Sequence, residues 1–205
     1  MTAHIDHLVI GAARLEEGLA WVAERLGVQV PPGGAHPGMG THNRLMRLSP
    51  TCFLEIIAPD PTAPAPGRPR WFGLDEQPAL PRLLTWLVAV PDLDIAIAAC
   101  PIDMGRATVM TRGTLHWRLT VPDDGALVDR GVMPSLIEWP DPHPAATMAD
   151  LGCTLARLTL RHPAPDRLRA TLSAIGLIDP ALHLEAAPAP ELSALITTPG
   201  GNRLL

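Results

Sequence analysis

The chain has 205 residues, 47% of them apolar and 18% charged, with a formal net charge of -5. That balance describes a globular protein rather than a disordered one, and offers no basic surface for nucleic acid or an anionic membrane. The three cysteines, Cys52, Cys100 and Cys153, lie far apart in apolar segments, and read as small buried hydrophobes in a reducing compartment rather than a disulfide framework. The N-terminus has no signal-peptide pattern and no apolar run reaches the roughly 20 residues of a membrane span, so the expectation is a soluble cytoplasmic protein.

In chain order, residues 5–10 read as a strand with Ile5, His7 and Val9 on one face and Asp6, Leu8 and Ile10 on the other. Leu15, Leu19, Val22 and Leu26 then form one helical stripe that Gly27 ends. A short strand at 28–30, a Pro-Pro-Gly-Gly turn and strands at 41–48 and 52–58 complete a first β-α-β-β-β module over residues 1–60. The proline-dense stretch 61–82 reads as a linker.

A second module spans 83–140: a strand at 84–90, a helix at 93–100 begun after Pro91-Asp92, and strands at 107–111, 115–121 and 135–139. The repeat shows in residues as well, since His42-Asn-Arg-Leu corresponds to His116-Trp-Arg-Leu, and FLEIIAP around Glu55 to SLIEWP around Glu138. Trp86 stands in the place of His7. Residues 141–205 read as a C-terminal extension, a partial third module of β-α-β-β type.

The chemistry centres on His7 and Glu55. If their strands lie side by side with those faces together, imidazole and carboxylate converge, the kind of pair that a divalent metal uses. Glu55 and Glu138, each in an apolar strand, need a cation, a donor or a metal beside them; the bland partners are Arg44 and Arg118 on neighbouring strands. His36 and His42 lie where a glycine-rich loop enters a strand. That loop lacks Walker spacing and no GxGxxG opens a helix, so nucleotide binding is not expected. No nucleophile elbow, paired-cysteine motif or HExxH is present.

With IDHLVI opening the first module and FLEIIAPDP closing it, and with GGAHPGMGTHNRL, SLIEWPDPHPA and GCTLARLTLRHP following the same pattern, residues 4–165 resemble the glyoxalase-like branch of the vicinal oxygen chelate superfamily. The resemblance implies an α+β protein whose tandem modules form a half-barrel of mixed sheet. It also implies a concave face that binds a small-molecule substrate, with a homodimer left open. It implies one divalent metal (zinc, iron, manganese or nickel) held by His7, Glu55 and Glu138, with Glu55 and Glu138 as catalytic carboxylates.

The fourth ligand position is Trp86, and an indole cannot ligate a metal. Two readings follow. One is an enzyme of lyase, isomerase or dioxygenase type with three protein ligands, in which His36, His42, Asn43 and His116 contact the ligand and His42 or His116 supplies a replacement. The other is a protein with no metal that sequesters a small molecule in a cleft lined by Trp86, Trp117 and Trp139.

Overall fold

The computed structural model describes residues 2–76, 81–140 and 142–205. Parts of two expected connections, 77–80 of the proline-dense stretch and position 141, lie outside them. The first module is β1 (His4–Gly11), α1 (Leu15–Leu26), β2 (Gly34–His36), β3 (Thr41–Ser49) and β4 (Cys52–Pro59). The second is β5 (Arg82–Ala89), α2 (Leu93–Ala99), β6 (Arg106–Arg112), β7 (Leu115–Val121) and β8 (Ser135–Glu138).

All eight strands form one mixed sheet in the order β2-β3-β4-β1-β5-β8-β7-β6. β1 runs parallel to β4 and β5 parallel to β8, while β1 and β5 meet antiparallel at the centre. Expected local signals hold at the helices. α1 buries Leu15, Val22 and Leu26 and stops at Gly27, whose φ of 70° a side chain would strain. α2 starts at Asp92, whose carboxylate accepts from the Ile95 N–H at 2.9 Å.

The strand expected at 28–30 is absent; pairing begins instead at Gly34, after Pro31 and Pro32, which have no N–H to donate to a ladder. Gly33 is needed there, because a Cβ would stand 2.0 Å from the Asn43 carbonyl oxygen. The C-terminal segment is larger than expected. β9 (Thr154–His162), α3 (Pro165–Ala174), β10 (Leu182–Ala186), β11 (Glu191–Thr198) and β12 (Gly201–Leu204) build a separate four-stranded sheet in the order β10-β9-β11-β12. In it β9 pairs in parallel with the strand just after its helix, whereas β1 pairs with the last strand of its module.

The large sheet has two apolar faces. Leu8, Ile10, Leu54, Ile56, Trp86, Val88 and Leu136 point into a core shared with α1, α2 and the second sheet, to which Leu158, Leu160 and Ile196 belong. Val9, Ile57, Leu84, Leu87, Leu119 and Ile137 line the opposite, concave face. Across it the proline-dense connection folds back as a 3-10 segment, Trp71–Glu76, that buries Trp71, Phe72 and Leu74 against those side chains. The sheet curls until β6 approaches β2: a Cβ on Gly34 would lie 3.0 Å from Cδ of Arg112. No helix among the described residues is long and apolar enough to cross a membrane.

Candidate active site

The concave face holds a narrow, partly open cavity of about 40 Å3. His7, His36, Asn43, Glu55 and Arg112 supply its polar groups, and Phe53, Trp71, Phe72, Leu87, Trp117, Ile137 and Trp139 most of its apolar wall. His7 and Glu55 come together as their strand positions imply, because Glu55 pairs with Val9 on β1, two residues beyond His7 on the same face. Nε2 of His7 lies 3.5 Å from Oε2 of Glu55, and the ring stacks on Phe53 with centroids 4.3 Å apart. The other Glu55 oxygen accepts from Nδ2 of Asn43 at 2.6 Å, and Asn43 Oδ1 accepts from Arg112 Nη1 at 2.8 Å.

Behind His7 stands Asp6, fully buried. Simple alternation puts Asp6 on the face opposite His7, but the β1–β5 register shifts between Ile5 and His7, and this irregularity lets the two side chains meet. Oδ1 of Asp6 lies 2.5 Å from Nδ1 of His7, while Oδ2 accepts from Trp139 Nε1 at 2.8 Å and from His143 Nε2 at 3.0 Å. His143 accepts the Ala145 N–H at its Nδ1, which leaves its Nε2 proton for Asp6.

These contacts govern the charges. Burial alone would raise the Asp6 carboxyl, but hydrogen bonds from His143 and His7 outweigh it and hold the group far below the usual carboxylate range. Burial would likewise lower His7, yet Asp6 and Glu55 push it up to about 9, so it is an imidazolium at neutral pH. Glu55 is also held low against its burial, chiefly by His7. His36 is the opposite case: burial takes it down to about 4, and it stays neutral with Nδ1 3.1 Å from the Thr41 hydroxyl.

Residues 5–176 match the family model described as the glyoxalase-like domain. The chain belongs to that family. Its fold is that of the vicinal oxygen chelate superfamily. Among solved structures, a hypothetical protein from Staphylococcus aureus aligns over 93% of this chain and 88% of its own, with a TM-score of 0.66 and 11% identity. Methylmalonyl-CoA epimerase from Mycobacterium tuberculosis aligns over 70% and 91%, at 0.45 and 22%. A Streptomyces coelicolor methylmalonyl-CoA epimerase variant in complex with 2-nitronate-propionyl-CoA aligns over 70% and 99%, at 0.43 and 16%. The first shares the fold, and the epimerases carry no weight for the chemistry. No curated protein matches the chain.

The glyoxalase-like repeat allows the metal set that the superfamily implies to be tested position by position. The register makes Leu87 the counterpart of His7, since the two face each other across β1 and β5 and both line the cavity. Glu55 pairs with Val9 and Leu45; in the second module Ile137 pairs with Ala89 and Leu119. Two of the four ligand positions therefore carry Leu87 and Ile137, which offer no electron pair. This donor set does not fit the superfamily's four-ligand metal.

His4, Asp6 and His143 do bring ligand atoms within 4.8 Å of one another, but Asp6 Oδ2 already accepts from Trp139 and from His143, whose proton sits on the nitrogen that would ligate. Asp6, Trp139 and His143 thus satisfy one another, while the buried Nε2 of His4 beside them has no hydrogen-bond partner among the described residues.

Four expected site residues fall elsewhere. Glu138 lies one residue past the cleft-facing Ile137, so its side chain turns to the other face. There it accepts from the Leu93 N–H at 2.9 Å and pairs with Arg118 at 3.2 Å, tying down the start of α2. Trp86 is fully buried in the core under the helices, with Nε1 donating to the Val132 carbonyl at 2.9 Å. His42 and His116 alternate away from the cleft, and His116 is exposed. Their neighbours Asn43 and Trp117 occupy it, with His36. Asp6, Arg112, Phe53, Trp71 and His143 were not singled out from sequence; the adjacent charge pair Asp6-His7 in an apolar strand was the one available signal.

Proposed function

We propose that the cleft performs acid–base chemistry, without a metal, on a small carbonyl compound. Glu55 removes a proton from the carbon next to the carbonyl, and protonated His7 donates to the oxygen on which charge develops. The observation that carries this reading is the Asp6–His7–Glu55 chain, an imidazole clamped between two buried carboxylates at the base of an aromatic-walled cavity.

Burying three ionisable groups together is costly unless their charges compensate, and a packing role would be served as well by apolar side chains. The positive charge that a metal would otherwise bring is supplied by the imidazolium. When a substrate oxygen replaces Glu55 as the acceptor at Nε2, Glu55 loses its main stabilising partner, and burial makes it a stronger base. Asn43 keeps its other oxygen in place. The resulting enolate is reprotonated, an isomerase outcome, or expels a leaving group, a lyase outcome.

The aromatic wall alone would also suit a sequestering protein, so the decisive experiment reads proton transfer rather than binding. Chelator-treated protein is incubated in D2O with a panel of small C–H-acidic carbonyl compounds, and loss of the α-proton signal is followed by NMR. Exchange of at least one compound above the buffer rate, unchanged by EDTA, is expected. No exchange in any compound, or exchange only after zinc, manganese, nickel or iron is added, overturns the reading.

A further inference from the structure

We infer that Arg112 is the anion-recognition residue of this cleft and that its ligand is a carboxylate-bearing small molecule with an apolar remainder, admitted through the seam between β2 and β6. The inference deepens the acid–base reading, on which it rests for taking the cleft to be the substrate site.

Arg112 is half-buried and lines both the inner cavity and a second one, about 430 Å3 and open to solvent, outside the seam. The two share His36, Trp71, Arg112 and Trp117, so these side chains are what separates them. Of its five N–H donors, Arg112 uses one among the described residues, to the neutral Asn43 Oδ1. Among the described residues no carboxylate lies within ion-pair distance of it; most arginines of the chain share that lack, but Arg112 combines it with partial burial at a cavity wall. Burial lowers its proton affinity and only Glu55, at longer range, opposes that. A guanidinium fork partly desolvated at a cavity mouth without an anion is short of a partner.

The chemistry of that partner is bounded by its surroundings. Asp6, Glu55, His7 and Arg112 sum to no net charge, so a monoanion adds one charge to the site, while a phosphate dianion would add two beside two carboxylates. A planar carboxylate also matches the fork with two parallel hydrogen bonds. The outer cavity is walled by Pro37, Met39, Val109 and Met110, and Val109 is 72% exposed on β6, which suits an apolar remainder. Repeat geometry explains why a cation can stand here: His36 pairs with Thr41, two residues before Asn43, and Arg112 with Leu115, two before Trp117. Arg112 is thus the counterpart of His36 on the other side of the seam.

The test measures binding, not turnover. Phenylacetate, its neutral isostere phenylacetamide and inorganic phosphate are titrated by calorimetry into wild type, Arg112→Gln, Arg112→Lys and Glu55→Gln, with unfolding curves to show that each variant is folded. Phenylacetate is expected to bind wild type and Glu55→Gln, to weaken at least about tenfold in Arg112→Gln, and to recover partly in Arg112→Lys. Phenylacetamide should bind weakly and be indifferent to Arg112. Equal binding of phenylacetate by wild type and Arg112→Gln, equal binding of acid and amide, phosphate as tight as phenylacetate, or no saturation by phenylacetate at millimolar concentration would each overturn the inference. If phenylacetate binds through Arg112 but no α-proton exchanges, the acid–base reading falls and the anion subsite stands; exchange without Arg112-dependent binding removes only the subsite.

Discussion

Replacing Asp6 with alanine is expected to lower stability by about 3–5 kcal/mol, the range seen when one partner of a buried ion pair is removed. Three donors, from His7, Trp139 and His143, lose their acceptor together, and the charge on His7 is left with Glu55 alone at 3.5 Å. Asn is not a remedy, since one amide oxygen cannot accept what two carboxylate oxygens do. Denaturant unfolding at pH 7 measures the loss, and a change under about 1 kcal/mol would contradict the network.

The same pair sets a pH signature. Asp6 is held low, so its contribution is present above the ordinary carboxylate range and lost as pH falls through its folded value. His7 is raised, so its contribution is complete below 6.5 and lost as pH climbs through about 9. Wild-type stability should therefore decline between pH 6.5 and 9, and Asp6→Ala should flatten that decline.

Glu55→Gln is expected to reduce α-proton exchange by about 10²–10⁴-fold while leaving the protein folded. The substitution keeps the shape and one oxygen for Asn43, and removes the carboxylate that, among the described residues, alone lines the cavity. Glu138→Gln gives the contrast, because Glu138 serves α2 and Arg118 on the other face; it should cost about 1 kcal/mol of stability and no exchange activity. Loss of exchange in Glu138→Gln with retention in Glu55→Gln would return the site to the arrangement that the repeat alone suggests.

That arrangement shows how far strand sequences can be read. The tandem modules, the helix ends and the convergence of His7 with Glu55 follow from periodicity, capping and alternation within single strands. What failed was the assignment of faces between modules. Aligning His42 with His116 and Glu55 with Glu138 finds the repeat but not its register in space. The cleft holds Asn43 with Trp117 and Glu55 with Ile137, one residue away in the second case, and a one-residue slip exchanges every side chain between faces.

Asp6 was hidden by the irregularity beside it in β1, which no local pattern announces. Arg112 lies in RATVMTR, a strand with no distinguishing pattern, and meets Asn43 only because the whole sheet curls until its two edges approach. The proline-dense stretch looked like a spacer because its residues lack periodicity, yet Trp71 and Phe72 are held against the concave face by a turn in which Phe72 itself has a φ of 57°.

The chemistry of the cleft turns on the state of one ring, an imidazolium held between Asp6 and Glu55 where the superfamily places a metal ligand. Nitrogen-15 NMR of chelator-treated protein labelled at histidine, with the His7 signals assigned by comparison with His7→Gln, tests it directly. Both ring nitrogens of His7 should be protonated at pH 7.5, with the Nδ1 proton far downfield from its short hydrogen bond to Asp6, and should remain so until pH approaches 9. A neutral ring at pH 7.5, or signals that shift stoichiometrically when zinc is added, would contradict it.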